Sequence, residues 1–103
     1  MVINVKQKGL IILSGCSHAG IINTMLYARQ ITGIETIYAV LGGLHLAGRD
    51  FESRINQTVE ELRKIKPHLI VPSHCTGWRA AHAILNAMPD AFAWGSVGNL
   101  YII

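Results

Sequence analysis

Apolar positions along this chain fall into short continuous runs and into three- and four-residue steps, and the two patterns take turns. Val2–Val5 reads as a short alternating strand, Lys6-Gln7-Lys8-Gly9 interrupts it, and Leu10–Leu13 resumes as an apolar run. That order predicts a hairpin with a glycine-containing turn. Ile21, Ile22, Met25, Leu26 and Ala28 keep helical spacing, and Gly33 supplies a stop. Ile34–Leu41 is β-branched and aromatic enough for a buried strand, broken by Gly42-Gly43 where a sharp turn or a close backbone approach is expected. Asp50–Lys66 is the clearest helix, with Phe51, Ile55, Val59, Leu62 and Ile65 on one face and Pro67 as its end. Leu69–Pro72 predicts a short strand, Thr76 an N-cap, and Gly77–Met88 a helix. Pro89-Asp90 then turns the chain into strands at Ala91–Trp94 and Val97–Ile103. The resulting order, β-β-α-β-α-β-α-β-β, predicts an α/β fold with a mixed sheet.

The breaks in this pattern carry the chemistry. Gly9–Gly20 reads GLIILSGCSHAG: an apolar strand ends in small residues and delivers His18 just before a helix. Ile37–Leu41 runs into Gly42-Gly43-Leu44-His45, and Leu69–Pro72 into Ser73-His74-Cys75-Thr76-Gly77. Open α/β sheets bind ligands beyond the carboxyl ends of their strands, so three histidines at three strand ends predict a metal site formed by His18, His74 and His45. Neutral imidazole suits zinc, manganese or iron. Such an ion lowers the pKa of a bound water towards about 7 when one coordination position stays open. His68 follows Pro67 at the opposite end of the sheet, and His82 lies inside the last helix; both read as surface residues. Cys16 and Cys75 are too few for a disulfide framework. Redox or nucleophilic use of these thiols is a minor third reading.

Composition changes the picture at one point. Only 15% of the 103 residues are charged while 50% are apolar, fewer charges than the about 25% of an ordinary domain. A chain this short forms a single domain, residues 1–103, and one of its faces is expected to be covered by another copy or a partner. The net charge of +3 comes from nine scattered Lys and Arg, without the basic patch or module signature of a nucleic-acid binder. No segment reads as a signal peptide or a membrane span, so a cytoplasmic protein without membrane partners is expected.

GCSHAGIINT, IYAVLGGLHL and VPSHCTG resemble the carboxyl-terminal half of metallo-β-lactamase-fold hydrolases. Within that superfamily they are similar to the branch containing the dihydropterin aminobenzene ribofuranosyl phosphate synthases of methanopterin biosynthesis. The likeness runs nearly the whole chain, to the closing VGNLYII. It implies half of an αββα sandwich, a mixed sheet with helices on one face. It also implies that His18 and His74 fall on family metal motifs, while His45 lies near the strand end where most members place a bridging aspartate. The family's His-Xaa-His-Xaa-Asp-His motif is missing from the sequence. The resemblance therefore implies a partial chain whose site is completed by an amino-terminal half, and which is inactive alone. The expected function is hydrolysis of a phosphate- or ester-bearing substrate by metal-activated water. The alternative is a non-catalytic assembly or metal-binding subunit, or a remnant. A sheet apolar on both faces also predicts a homo-oligomer, a homodimer in the simplest case.

Overall fold

A computed structural model describes all residues, 1–103. Strands β1 (Val2–Val5), β2 (Gly9–Ser14), β3 (Ile37–Gly43) and β4 (Leu69–Ser73) alternate with helices α1 (Ile21–Thr32), α2 (Arg49–Glu52), α3 (Ile55–Ile65) and α4 (Trp78–Ala87). The sheet order is β1-β2-β3-β4. β1 pairs antiparallel with β2 through the hairpin, whereas β2, β3 and β4 are mutually parallel. The sheet is thus mixed, as the element order predicts, and the three parallel strands end on one edge. No helix is long and apolar enough to cross a membrane.

Residues from α1 (Ile21, Met25, Ala28), α3 (Ile55, Val59, Leu62) and α4 (Ala80, Ile84) share one apolar cluster with Leu10, Ile12, Ile37, Val40 and Ile70 of the sheet. The helices therefore cover one face. Leu10, Ile12, Met25, Ile37, Leu62, Ile70 and Ile84 are fully buried, each worth about 1.5–3 kcal/mol relative to exposure. Between the pairs Leu10↔Ile37 and Ile11↔Ala39 the register shifts by one residue. This bulge at Tyr38 keeps both Ile37 and Val40 on the helical face, and the Tyr38 ring stacks on His68 at 4.7 Å. The paired residues Ile3 and Ile11, Leu13 and Leu41, Ala39 and Leu69 occupy the other face, together with Val71. There Ile3 and Leu13 stand 40% and 38% exposed.

Three sequence expectations need correction. The helix expected over Asp50–Lys66 is two helices, because Arg54 N–H bonds back to Phe51 C=O in a tight turn before Thr58 N–H bonds to Arg54 C=O. Thr76 does not cap α4: Gly77 holds the N-cap position, and the buried Thr76 hydroxyl accepts a hydrogen bond from Leu44 N–H instead. The last two strands do not form. Phe92 alone bridges to Ile70, and Val97, Leu100 and Ile102 project into solvent. Strand-like sequence needs a neighbour to pair with, and beside β4 the chain is held only at Phe92 and Ala93.

Candidate metal centre at the strand ends

Close backbone approach shapes the edge where β2, β3 and β4 finish. Gly42 has φ +128°, and a Cβ there would lie 1.9 Å from Ser14 C=O on β2. A Cβ on Gly43 would meet Cys75 Sγ at 2.5 Å and both Gly15 C=O and His74 Cε1 at 2.7 Å. Only glycine lets the three loops come together here. Ser17, in the left-handed region at φ +56°, donates from Oγ to Gly43 C=O at 2.7 Å and accepts from Gly20 N–H through its own carbonyl. Gly43 N–H donates to Gly15 C=O, and Leu46 and Ala47 N–H both donate to Cys75 C=O. The loops after all three parallel strands are therefore tied to one another by main-chain bonds.

His18, His45 and His74 all stand on this edge, in two neighbouring clusters. The His18 and His45 rings face each other with centroids 4.3 Å apart, and Phe51 lies edge-on to His45 at 4.5 Å. His45 is held at φ +53°, a conformation histidine adopts more readily than most residues. The pair opens into a cleft of about 300 Å³ that Ser17, Arg54, Thr58 and Glu61 also line. The first turn of α1 borders the same cleft, with no acidic residue in it and no side-chain cap. Free N–H groups at such a helix start favour anions.

His74 belongs to the second cluster. Its Nε2 lies 3.1 Å from Cys16 Sγ and its Nδ1 3.1 Å from Ser73 Oγ. The Cys75 thiol points to Cys16 C=O at 3.5 Å. The ligand atoms of Cys16, His74 and Cys75 all lie within 4.8 Å of one another. Partial desolvation, and after it the hydrogen-bonding Cys75 thiol, push the Cys16 thiol above its ordinary pKa. Both cysteines are free.

His68 and His82 stay apart from both clusters: His68 stacks on Tyr38, and His82 bonds to Asn86 on the exposed side of α4. The thiols are the donors that sequence reading undervalued. Their signal was adjacency, since Cys16 precedes His18 by two residues and Cys75 follows His74 directly. A divalent ion fits this edge by the chemistry of its donors. The His74 imidazole and the two thiols converge beside Gly43, whose missing side chain leaves the space, and such donors suit zinc and its neighbours.

No family model matches the sequence. The chain is 42% identical over 88 residues to the 7,8-dihydropterin-6-methyl-4-(β-D-ribofuranosyl)-aminobenzene-5'-phosphate synthase of Methanocaldococcus jannaschii, an alignment covering 85% of this chain and 30% of that protein. It is 37% identical over 93 residues to an uncharacterised protein of the same organism, covering 90% of this chain and 33% of the other. Among solved structures, the crystal structure of a metal-dependent hydrolase of the β-lactamase superfamily matches with a TM-score of 0.83 and 30% identity. That match covers 98% of this chain and 39% of the other. The chain thus spans about a third of the length of its curated relatives. By sequence and by fold, the chain is similar to part of a metal-dependent hydrolase of the β-lactamase superfamily and to part of a dihydropterin ribofuranosyl-aminobenzene phosphate synthase.

Proposed function

We propose that this chain supplies one part of a metal-dependent hydrolase centre, with His18, His45 and His74 as its histidine ligands. The observation that carries this reading is the arrival of a histidine just beyond the end of each of three successive parallel strands. The matched crystal structure is itself that of a metal-dependent hydrolase. Zinc is the ion these donors favour, with manganese or iron as the alternatives. When bound, a divalent ion of this kind lowers the pKa of water to near neutrality and polarises the bond under attack. The chain's own residues hold and orient: Ser73 fixes the His74 ring through Nδ1, and Phe51 packs against His45. A phosphate- or ester-bearing substrate suits the cleft, where the α1 N-terminus and Arg54 favour negative charge and the one lining carboxylate, Glu61, is paired with Lys64. A cytoplasmic location accompanies this reading.

No carboxylate belongs to the Cys16–His74–Cys75 group, so a dinuclear centre with a bridging carboxylate needs ligands from elsewhere. That absence also favours the second reading, a metal-binding or assembly subunit without catalysis. Hydrolysis of bis(p-nitrophenyl) phosphate separates the two. With zinc, manganese or iron(II) added, the lone chain is expected to stay near background. Supplying in trans a relative's segment with the His-Xaa-His-Xaa-Asp-His motif should raise the rate, and His18→Ala should abolish the rise. Efficient turnover by the lone chain, or a rate unmoved by His18→Ala and His74→Ala, would overturn the partial-centre reading. Metal uptake without any rise favours the non-catalytic subunit.

We also propose that the sheet face bearing Ile3, Ile11, Leu13, Leu41 and Val71 is an association surface. Ile3 and Leu13 stand more than a third exposed there, while Ile11 and Val71 are already buried within the chain, so the available apolar contact area centres on the β1–β2 side of the face. A two-fold dimer is the simplest arrangement. Light scattering at micromolar concentration should give twice the chain mass, and Leu13→Lys should shift it towards monomer. A monomeric wild-type chain would contradict the proposal.

A further inference from the structure

We propose that Cys16, His74 and Cys75 form a thiolate-rich site for a single zinc-like ion, distinct from the His18–His45 pair. The three ligand atoms already lie within 4.8 Å of one another. A tetrahedral zinc ion, with bonds of about 2.0–2.3 Å, spaces its ligand atoms roughly 3.5 Å apart, so rotamer adjustment alone closes the gap. Three features of the edge act on this cluster in particular. The missing side chain of Gly43 is the space that Cys75 Sγ and His74 Cε1 occupy. The Ser73 hydroxyl engages Nδ1 of His74; as an acceptor it fixes the tautomer that leaves the Nε2 lone pair facing Cys16, the usual arrangement around a ligating imidazole. The Cys75 carbonyl takes both Leu46 and Ala47 N–H groups, which anchors the loop carrying two of the three donors.

Charge balance follows from the donors. Two thiols lose their protons to solvent on binding, and the two thiolates neutralise the dication. His74 stands exposed, so the fourth position faces solvent and stays open to water or an added ligand, the arrangement of catalytic rather than structural zinc sites. Sulfur ligands also select zinc over manganese. This inference goes beyond the proposed hydrolase centre: His74 belongs to both, whereas Cys16 and Cys75 belong to this site alone.

Cobalt(II) reports thiolate ligation through a sulfur-to-metal charge-transfer band in the near ultraviolet. The reduced chain, titrated anaerobically with cobalt(II), should develop that band to one equivalent per chain, and zinc should bleach it. Cys16→Ser and Cys75→Ser should each weaken the band and lower zinc affinity at least about tenfold, while His68→Ala and His82→Ala, at histidines remote from the cluster, leave both unchanged. Wild-type chain without charge-transfer absorption would overturn the proposal, whatever the variants do. So would a band that survives both serine variants. Loss of the band in His18→Ala and His45→Ala would instead show that those histidines share the thiolate-bound ion, and would count against a separate site. Failure of the hydrolase assay leaves these readouts untouched, so the two proposals fall separately.

Discussion

Gly42→Ala is expected to destabilise the chain by about 4 kcal/mol or to prevent folding altogether. Two costs combine. The backbone at φ +128° is a conformation that side chains rarely adopt, and such strain costs about 1–3 kcal/mol. The new Cβ would also sit 1.9 Å from the Ser14 carbonyl, which belongs to β2 and cannot swing away without breaking the β2–β3 pairing. Destabilisation of that size is a large share of the roughly 5–15 kcal/mol available to a domain. Gly15 is the internal control: it lies at the same edge, and a Cβ there meets nothing within 4 Å. Urea denaturation at fixed chain concentration should therefore show a near-wild-type midpoint for Gly15→Ala and a collapsed one for Gly42→Ala. Equal effects of the two would contradict the packing described for this edge.

The second large effect is expected at Gly43, and it reaches the site as well as the fold. Its Cβ would press on Cys75 Sγ, His74 Cε1 and the Gly15 carbonyl, and the first two belong to side chains that can rotate away. The Gly15 carbonyl is backbone and cannot, so Gly43→Ala should lower the urea midpoint and also drive apart the donors that a metal ion must draw together. Zinc affinity is expected to fall by more than about tenfold, the scale seen when ligand orientation is lost. Calorimetric titration of zinc into the variant checks this. Unchanged affinity would mean that the ion does not depend on His74 and Cys75.

Much of this architecture was legible in the sequence because burial writes itself into periodicity. The continuous runs at Leu10–Leu13, Ile37–Leu41 and Leu69–Pro72 mark the three parallel strands, and Gly42-Gly43 announced the close approach that the geometry shows. What stayed hidden depends on partners distant in the chain. Val97–Ile103 has the composition of a strand, yet β4 offers it no pairing beyond Phe92. Thr76 looks like a cap until Leu44, 32 residues away, claims its hydroxyl. The turn at Ser53 and Arg54 leaves the apolar spacing of Phe51 and Ile55 intact, so periodicity does not register it. At the site, the strand ends placed His18, His45 and His74 on one edge. Their division into two clusters occurs in loops that turn at left-handed residues, Ser17 and His45, which carry no glycine signal. The adjacency of Cys16 and Cys75 to those histidines was visible, but only the folded loops bring Cys75 back to Cys16 across 59 positions.

A divalent ion bound at the carboxyl edge of the parallel strands should be visible directly. Crystals grown with zinc, with diffraction data collected on both sides of the zinc absorption edge, test it most directly. An anomalous peak is expected at the strand ends, within bonding distance of His74 and beside either the two thiols or the His18–His45 pair. No peak there, or zinc found only at His68 or His82, would contradict it.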